Sequence, residues 1–153
     1  MGGQPELRRA VAADASVIRE LTRRAYAKWV PVIGREPKPM AADYAEALQQ
    51  HRIDILYVDG EPAGLIETIP RDDHLLIENV AIAPVFQGQG LGRKLLTHAE
   101  QLAASLGHDE IRLYTNKLFA ANVQFYRRLG YWVDREEGFK GGIVVHMSKR
   151  IHS

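Results

Sequence analysis

Residues 75–94 read Leu-Leu-Ile-Glu-Asn-Val-Ala-Ile-Ala-Pro-Val-Phe-Gln-Gly-Gln-Gly-Leu-Gly-Arg-Lys. The first nine, Leu75 to Ala83, form an apolar run interrupted by Glu78 and Asn79, which predicts a central strand with something polar to do. Pro84 carries no amide hydrogen and ends the pairing. From Leu91 apolar residues recur at 95, 96, 99, 102, 103 and 106, the spacing of one helix face, and Gly107 supplies a left-handed stop. Between strand and helix stand Gly88, Gly90 and Gly92. A loop so poor in Cβ atoms can turn its amides toward an anion at close range, and the helix start adds unpaired amides and a partial positive charge. Such a segment is built for phosphate.

Two well-known phosphate loops fail letter by letter. The dinucleotide pattern G-x-G-x-x-G begun at Gly88 ends on Arg93, and the P-loop pattern G-x-x-x-x-G-K-[ST] fails at the same place. Nicotinamide and nucleoside-triphosphate chemistry are therefore unsupported.

Strands and helices alternate along the rest of the chain. Leu7 to Val11 predicts a first strand, and Asp14 an N-cap for a helix with Val17, Ile18, Leu21 and Ala25 on its apolar face. That helix stops near Trp29, because Pro31 follows. Residues 30–40 hold three prolines and a glycine, so a loop without regular structure is expected there, then a short helix from Ala41 to Gln50. Ile53 to Val58 and Ala63 to Ile69 are strands joined by Asp59-Gly60, a dipeptide suited to the positive φ of a tight turn, and a second hairpin falls at Arg71 to His74. Ile111 to Thr115 predicts a strand, Asn116 to Leu129 a helix closed by Gly130, and Tyr131 to Asp134 and Ile143 to Ser148 the last two strands. Gly138, Gly141 and Gly142 predict a long, mobile connection between those two. The class is α/β with a mixed sheet.

The chain has 153 residues, within the range of one domain, and residues 1–153 are read as a single domain. Twenty basic against nineteen acidic side chains leave a net charge of +1, which does not suggest a nucleic-acid partner. Without cysteine there is no disulfide framework, thiolate metal site or thiol nucleophile. The polar Met1 to Arg9 stretch and the lack of an 18-residue apolar run argue against secretion or membrane spanning, and a cytoplasmic location is expected. The six histidines show no metal-ligand spacing, and no serine sits in G-x-S-x-G. No metal is expected. Phe119, Phe125, Tyr131, Trp132 and Phe139 are expected in the core, or else on a dimer surface, rather than as ligand platforms.

The glycine segment resembles the acyl-CoA pyrophosphate loop of the GNAT superfamily of N-acetyltransferases, Q/R-x-x-G-x-G/A after a strand ending in an apolar-Ala-apolar triplet. Here the triplet is Val80-Ala81-Ile82, followed by Gln87, Gly90 and Gly92. Tyr114-Thr115-Asn116 and the stretch from Asn122-Val123-Gln124-Phe125-Tyr126 into Leu129-Gly130-Tyr131 are similar to a second segment of that family. The resemblance covers roughly Leu7 to Lys149. It implies a single mixed, mostly antiparallel sheet of about seven strands, about four flanking helices, and splayed central strands forming the acyl-CoA cleft.

It further implies acetyl-CoA as cofactor. Backbone groups of Val80, Ala81 and Ile82 would pair with the pantetheine arm as though it were an added strand. Amides from Gln87 through Gly88, Gln89, Gly90, Leu91 and Gly92 to Arg93 would hold the pyrophosphate, with Asn116 and Asn122 within reach of the cofactor arm. Arg93 and Lys94 lie in a first helical turn, where cations oppose the macrodipole unless a polyanion is near, although both are equally readable as solvated.

An attacking amine must be neutral, and one of pKa about 10.4 is neutral in only about 0.04% of molecules at pH 7, a handicap near 4.6 kcal/mol. Something must take the proton. Period 2 places Glu78, Val80 and Ile82 on one face of the strand and Asn79 and Ala81 on the other. The resemblance makes Glu78 the base, directly or through water; the local text Ile77-Glu78-Asn79-Val80-Ala81 is similar to that of glucosamine-phosphate acetyltransferases. The alternative is a carboxylate paired with a nearby arginine. Tyr126 matches the family's acid for the departing thiolate, the alternative being a core-edge tyrosine satisfied by backbone.

Tyr26, Trp29, Arg35, Lys38 and Tyr44 flank the proline-rich stretch, which in the family covers the acceptor, and are the substrate-binding candidates; the aromatics could equally anchor that stretch. The acceptor is a primary amine, on a small molecule or a peptide. A non-catalytic acyl-CoA-binding module is the second reading, and a toxin-type enzyme acting on charged tRNA is disfavoured by the net charge. A homodimer is expected only by analogy with the family.

Overall fold

The computed structural model describes residues 4–151; Met1 to Gly3, and with them part of the polar N-terminal stretch, as well as His152 and Ser153, lie outside. Seven strands form one sheet in the order β1-β2-β3-β4-β5-β7-β6: β1 Glu6–Arg9, β2 Arg52–Val58, β3 Glu61–Pro70, β4 Leu75–Ile82, β5 Glu110–Asn116, β6 Trp132–Phe139 and β7 Gly142–Arg150. The helices are α1 Ala15–Tyr26, α2 Val30–Ile33, α3 Lys38–Ala41, α4 Tyr44–Gln50, α5 Leu91–Ser105 and α6 Ala120–Arg128. The β4–β5 pair is parallel, over Leu75↔Ile111, Leu76↔Arg112 and Ile77↔Leu113. The β1–β2, β2–β3, β5–β7 and β6–β7 pairs are antiparallel. The mixed sheet and the four helices longer than one turn are as expected.

The chain divides into two compact units, Met1–Thr68 with Asn79–Leu96, and Ile69–Glu78 with Thr97–Ser153. In the first, Ile18, Leu21 and Ala25 of α1 and Tyr44 of α4 pack on Ile53 and Ile55 of β2, Leu65 of β3, and Ala81 and Ala83. Ile18, Ile53, Ile55 and Leu65 are all but inaccessible to solvent, each burial contributing about 1.5–3 kcal/mol. In the second, alternation along β5 and β7 buries Ile111, Leu113, Val145 and Met147, and leaves Arg112, Tyr114, His146 and Ser148 on the other face, part-exposed or exposed.

Several local expectations are corrected. Asp14 is the N-cap residue of α1, as expected, but its side chain makes no capping bond to the helix: a 3₁₀ turn at Ala12–Asp14 precedes α1, and the Asp14 carboxylate accepts from the Val11 amide (2.8 Å). Residues 30–40 are not an irregular loop. They contain α2 and α3, with Pro31 and Pro39 in their first turns, where the missing amide hydrogen has no intrahelical acceptor and the fixed φ suits the helix.

Asn116 ends β5 instead of starting a helix: its Oδ1 accepts from the Leu118 amide (2.9 Å), and α6 begins at Ala120. The expected long connection between the last strands is a two-residue turn, Lys140-Gly141, with φ of 49° and 76°. Both residues take the positive φ of a hairpin turn, which lets β6 run on to Phe139. Because β6 is an edge strand, Trp132 (75% exposed) and Phe139 (51%) are not core, whereas Phe119 and Tyr131 are buried as expected.

Candidate active site

The glycine segment leaves β4 through a 3₁₀ turn at Pro84–Phe86 and enters α5 at Leu91. Gly88 and Gly90 have φ of +80° and +79°, a conformation that side chains with a Cβ rarely adopt, and a Cβ at either would meet no atom within 4 Å. The turn is thus a backbone requirement and the space beside it is open. Leu91, 5% exposed, anchors the helix start in the core, while Gly88, Gln89, Gly90, Arg93 and Lys94 are exposed. The opening amides of an α-helix have no acceptor inside it. That combination suits a diphosphate.

Gln87 braces the loop. Its Nε2 donates to the Ile82 carbonyl (3.0 Å), and its Oε1 accepts from Lys28 Nζ (3.2 Å). The Ala83 amide donates to the Ala63 carbonyl on β3 (2.8 Å). Backbone groups alternate in direction along a strand, so Ala81 also faces β3, and Val80 and Ile82 face away from it. Ala81 is buried, and its carbonyl oxygen lies 2.9 Å from where a Cβ on Gly64 would stand. Of the triplet, Val80 and Ile82 therefore present backbone on the side away from β3, and Ala81 supplies packing.

Glu78, Val80 and Ile82 share the half-exposed face of β4, and Ile77, Asn79 and Ala81 the buried one. Glu78 Oε1 accepts from the Tyr114 hydroxyl (2.7 Å). Sequence reasoning missed this partner. The signal was the parallel register: with Ile77 beside Leu113, the next residues on the opposite face are Glu78 and Tyr114.

Two substrate candidates are hydrogen-bonded within the fold. The Tyr26 hydroxyl donates to Asn79 Oδ1 (2.7 Å), with the Val80 carbonyl oxygen 3.1 Å away. Asn79 Nδ2 donates to the Tyr44 hydroxyl (3.3 Å), which donates to the Pro39 carbonyl (2.6 Å). Tyr44 is 3% exposed. Arg23 also holds the proline-rich stretch, through Glu36 (2.7 Å) and the Met40 carbonyl (2.9 Å). The Glu36 carboxyl is held below its ordinary range mainly by its hydrogen bond from Arg23. Trp29 is half-buried beside Lys28, while Arg35 is exposed.

Tyr126 lies buried on α6, its ring edge-on to Tyr131 at 5.9 Å. Burial pushes its phenol up to about 12, so it keeps its proton at neutral pH. Asn122, one turn earlier on α6, is half-buried, and Asn116 spends its Oδ1 on the turn after β5. Among the described residues no three metal-ligating side chains gather, and no helix is long and apolar enough to cross a membrane.

The profile of the acetyltransferase (GNAT) family matches residues 16–131. The chain belongs to the GNAT family. A stretch of 75 residues is 32% identical to streptothricin acetyltransferase of Streptomyces lavendulae, covering 48% of this GNAT chain and 40% of that protein. The matched stretches span between 21% and 43% of the length of the curated relatives. In fold, the chain is similar to the PaiA N-acetyltransferase of Thermoplasma acidophilum, solved with coenzyme A (TM-score 0.83, 18% identity, 96% of this chain and 99% of that one). It is also similar to the ribosomal-protein-S18-alanine N-acetyltransferase of Escherichia coli (TM-score 0.80, 20% identity, 98% and 96%).

Proposed function

We propose that this GNAT protein is a cytoplasmic enzyme that transfers an acetyl group from acetyl-CoA directly to a primary amine, with both units acting as one catalytic domain. The observation that carries the reading is the open turn at Gly88 and Gly90, running from β4 straight into the first amides of α5. The amides from Gln87 to Arg93 hold the diphosphate, and the Val80 and Ile82 amides meet the pantetheine arm. Acetyl-CoA supplies the activated acyl group. The chain's own part is to position that group, remove a proton and return one. Glu78 takes the proton of the attacking amine, directly or through a water, and Tyr126 protonates the departing sulfur. Without a cysteine to carry the acyl group, transfer proceeds with both substrates bound.

Two observations support the roles. Glu78 sits on the part-exposed face of β4, its Oε1 accepting from the Tyr114 hydroxyl. Tyr126, protonated throughout the neutral range, has a proton to give. The test is release of free thiol from acetyl-CoA with a panel of n-butylamine, lysine, glucosamine and an alanyl tripeptide. Turnover with at least one amine supports the reading. Coenzyme A binding without thiol release for any of them marks a non-catalytic acyl-CoA-binding module.

A further inference from the structure

A cation from outside the glycine loop reaches its entry. Lys28 lies in the 3₁₀ turn Ala27–Trp29 that continues α1, and its Nζ donates to Gln87 Oε1 across 3.2 Å. The carboxamide that receives it is fixed at its other end, where Nε2 donates to the Ile82 carbonyl (3.0 Å) on the side of β4 away from β3. The turn that carries Lys28 is tied down as well, because the preceding residue, Tyr26, is bonded to Asn79. The ammonium is thus held where the last backbone groups of β4 give way to the first amide of the loop, that of Gln87.

Its surroundings leave its charge in place. Besides Gln87, Nζ stands 5.2 Å from the centroid of the Trp29 ring, and both contacts are with neutral groups. Among the described residues no carboxylate pairs with Lys28. Arg23 and Arg24 on α1 differ, each meeting a glutamate at 2.7 Å. Arg93 and Lys94, exposed at the far end of the loop, also have no carboxylate partner among the described residues, and cations in a first helical turn oppose the macrodipole. One positive charge at the loop's entry and two at its exit, none compensated by an acid, form an arrangement that a bound polyanion stabilises.

We propose that Lys28 is a cofactor-binding residue: its ammonium turns from the Gln87 carboxamide to the diphosphate of coenzyme A and holds a phosphate oxygen at the entry of the loop. The four-carbon stem is flexible enough for that movement. The diphosphate, and not the 3′-phosphate, is the partner because Lys28 is tethered at Gln87, the end of the loop nearest the pantetheine groups of Val80 and Ile82. The inference rests on Gln87 to Arg93 being the diphosphate loop.

The test is calorimetric titration of the full chain, as wild type, Lys28→Gln and Lys28→Arg, with coenzyme A, 3′-dephospho-coenzyme A and pantetheine. Lys28→Gln is expected to weaken both diphosphate ligands about tenfold at low salt, the size of one charge-assisted hydrogen bond, and to leave pantetheine within about twofold. Lys28→Arg, which keeps the charge, is expected to bind coenzyme A within about threefold of wild type. Added salt should narrow the gap between wild type and Lys28→Gln, since an exposed charge is screened. Unchanged coenzyme A affinity in Lys28→Gln, an equal loss with pantetheine, a loss confined to the ligand with the 3′-phosphate, or a Lys28→Arg variant as weak as Lys28→Gln would each overturn the role of Lys28 while the loop stands. Wild-type protein that binds coenzyme A no better than pantetheine would overturn the loop and this inference together.

Discussion

The hydroxyl of Tyr26, at the last residue of α1, donates to Oδ1 of Asn79 in the middle of β4 across 2.7 Å. Asn79 is only 4% exposed, so its amide oxygen has no water to replace a lost donor. Removing one partner of a buried hydrogen bond leaves the other unsatisfied, at about 1–3 kcal/mol. Tyr26→Phe should therefore lower the melting temperature, at roughly 2–4 °C per kcal/mol for a chain of this size. An unchanged melting curve would show that the bond is not maintained in solution.

Gly64 on β3 has no room for a side chain. A Cβ there would stand 2.7 Å from Ile82 Cδ1 and 2.9 Å from the Ala81 carbonyl oxygen, and the second is backbone, which cannot swing aside. Gly64→Ala is expected to destabilise by about 1–3 kcal/mol, the usual cost of overpacking. Since the strain falls on the triplet that precedes the glycine loop, coenzyme A affinity should fall with it; denaturant midpoints and calorimetry read the two effects separately.

At Gly90 the constraint is conformational. With φ at +79° and open space around the position, Gly90→Val is resisted by its own backbone and not by neighbours. The expected result is a loss of coenzyme A affinity of tenfold or more, with the thermal midpoint lowered by only a few degrees. Retained affinity would mean that the turn geometry is not what presents the amides.

The Tyr126 phenol is raised from 10 to about 12 by burial, and Tyr131 is raised in the same direction, chiefly by burial, with Glu100 adding to it. The neutral phenol is the form that folding favours. Its contribution to stability is complete below pH 10, where the unfolded phenol also keeps its proton, and is lost as pH rises through 12. Urea midpoints should therefore be lower at pH 11 than at pH 8, and Tyr126→Phe should narrow that gap. In turnover, the same variant should lower kcat while leaving acetyl-CoA affinity almost unchanged.

Much of this was legible in the sequence because its signals were local. The apolar run ending at Ile82, the helix face from Leu91 and the glycines between them require no distant partner to interpret. What escaped was non-local or depended on cancelling effects. The prolines at 31 and 39 break helices when internal but are tolerated in a first turn, and no periodicity shows which case applies. Lys140 at positive φ, a strained choice, hid the tight turn behind three glycines. That Tyr26 and Tyr44 both bond to Asn79 shows only in the fold, because the three residues are far apart in the chain. Tyr114 needed the β4–β5 register before its proximity to Glu78 meant anything.

The central claim is that a diphosphate is held by the backbone from Gln87 to Arg93, and the most direct measurement is calorimetric titration of the full chain with coenzyme A and, in parallel, with pantetheine, which lacks the diphosphate. Saturable binding of coenzyme A, at least tenfold tighter than pantetheine, is the predicted result. Equal affinities, or no heat with coenzyme A, would contradict it.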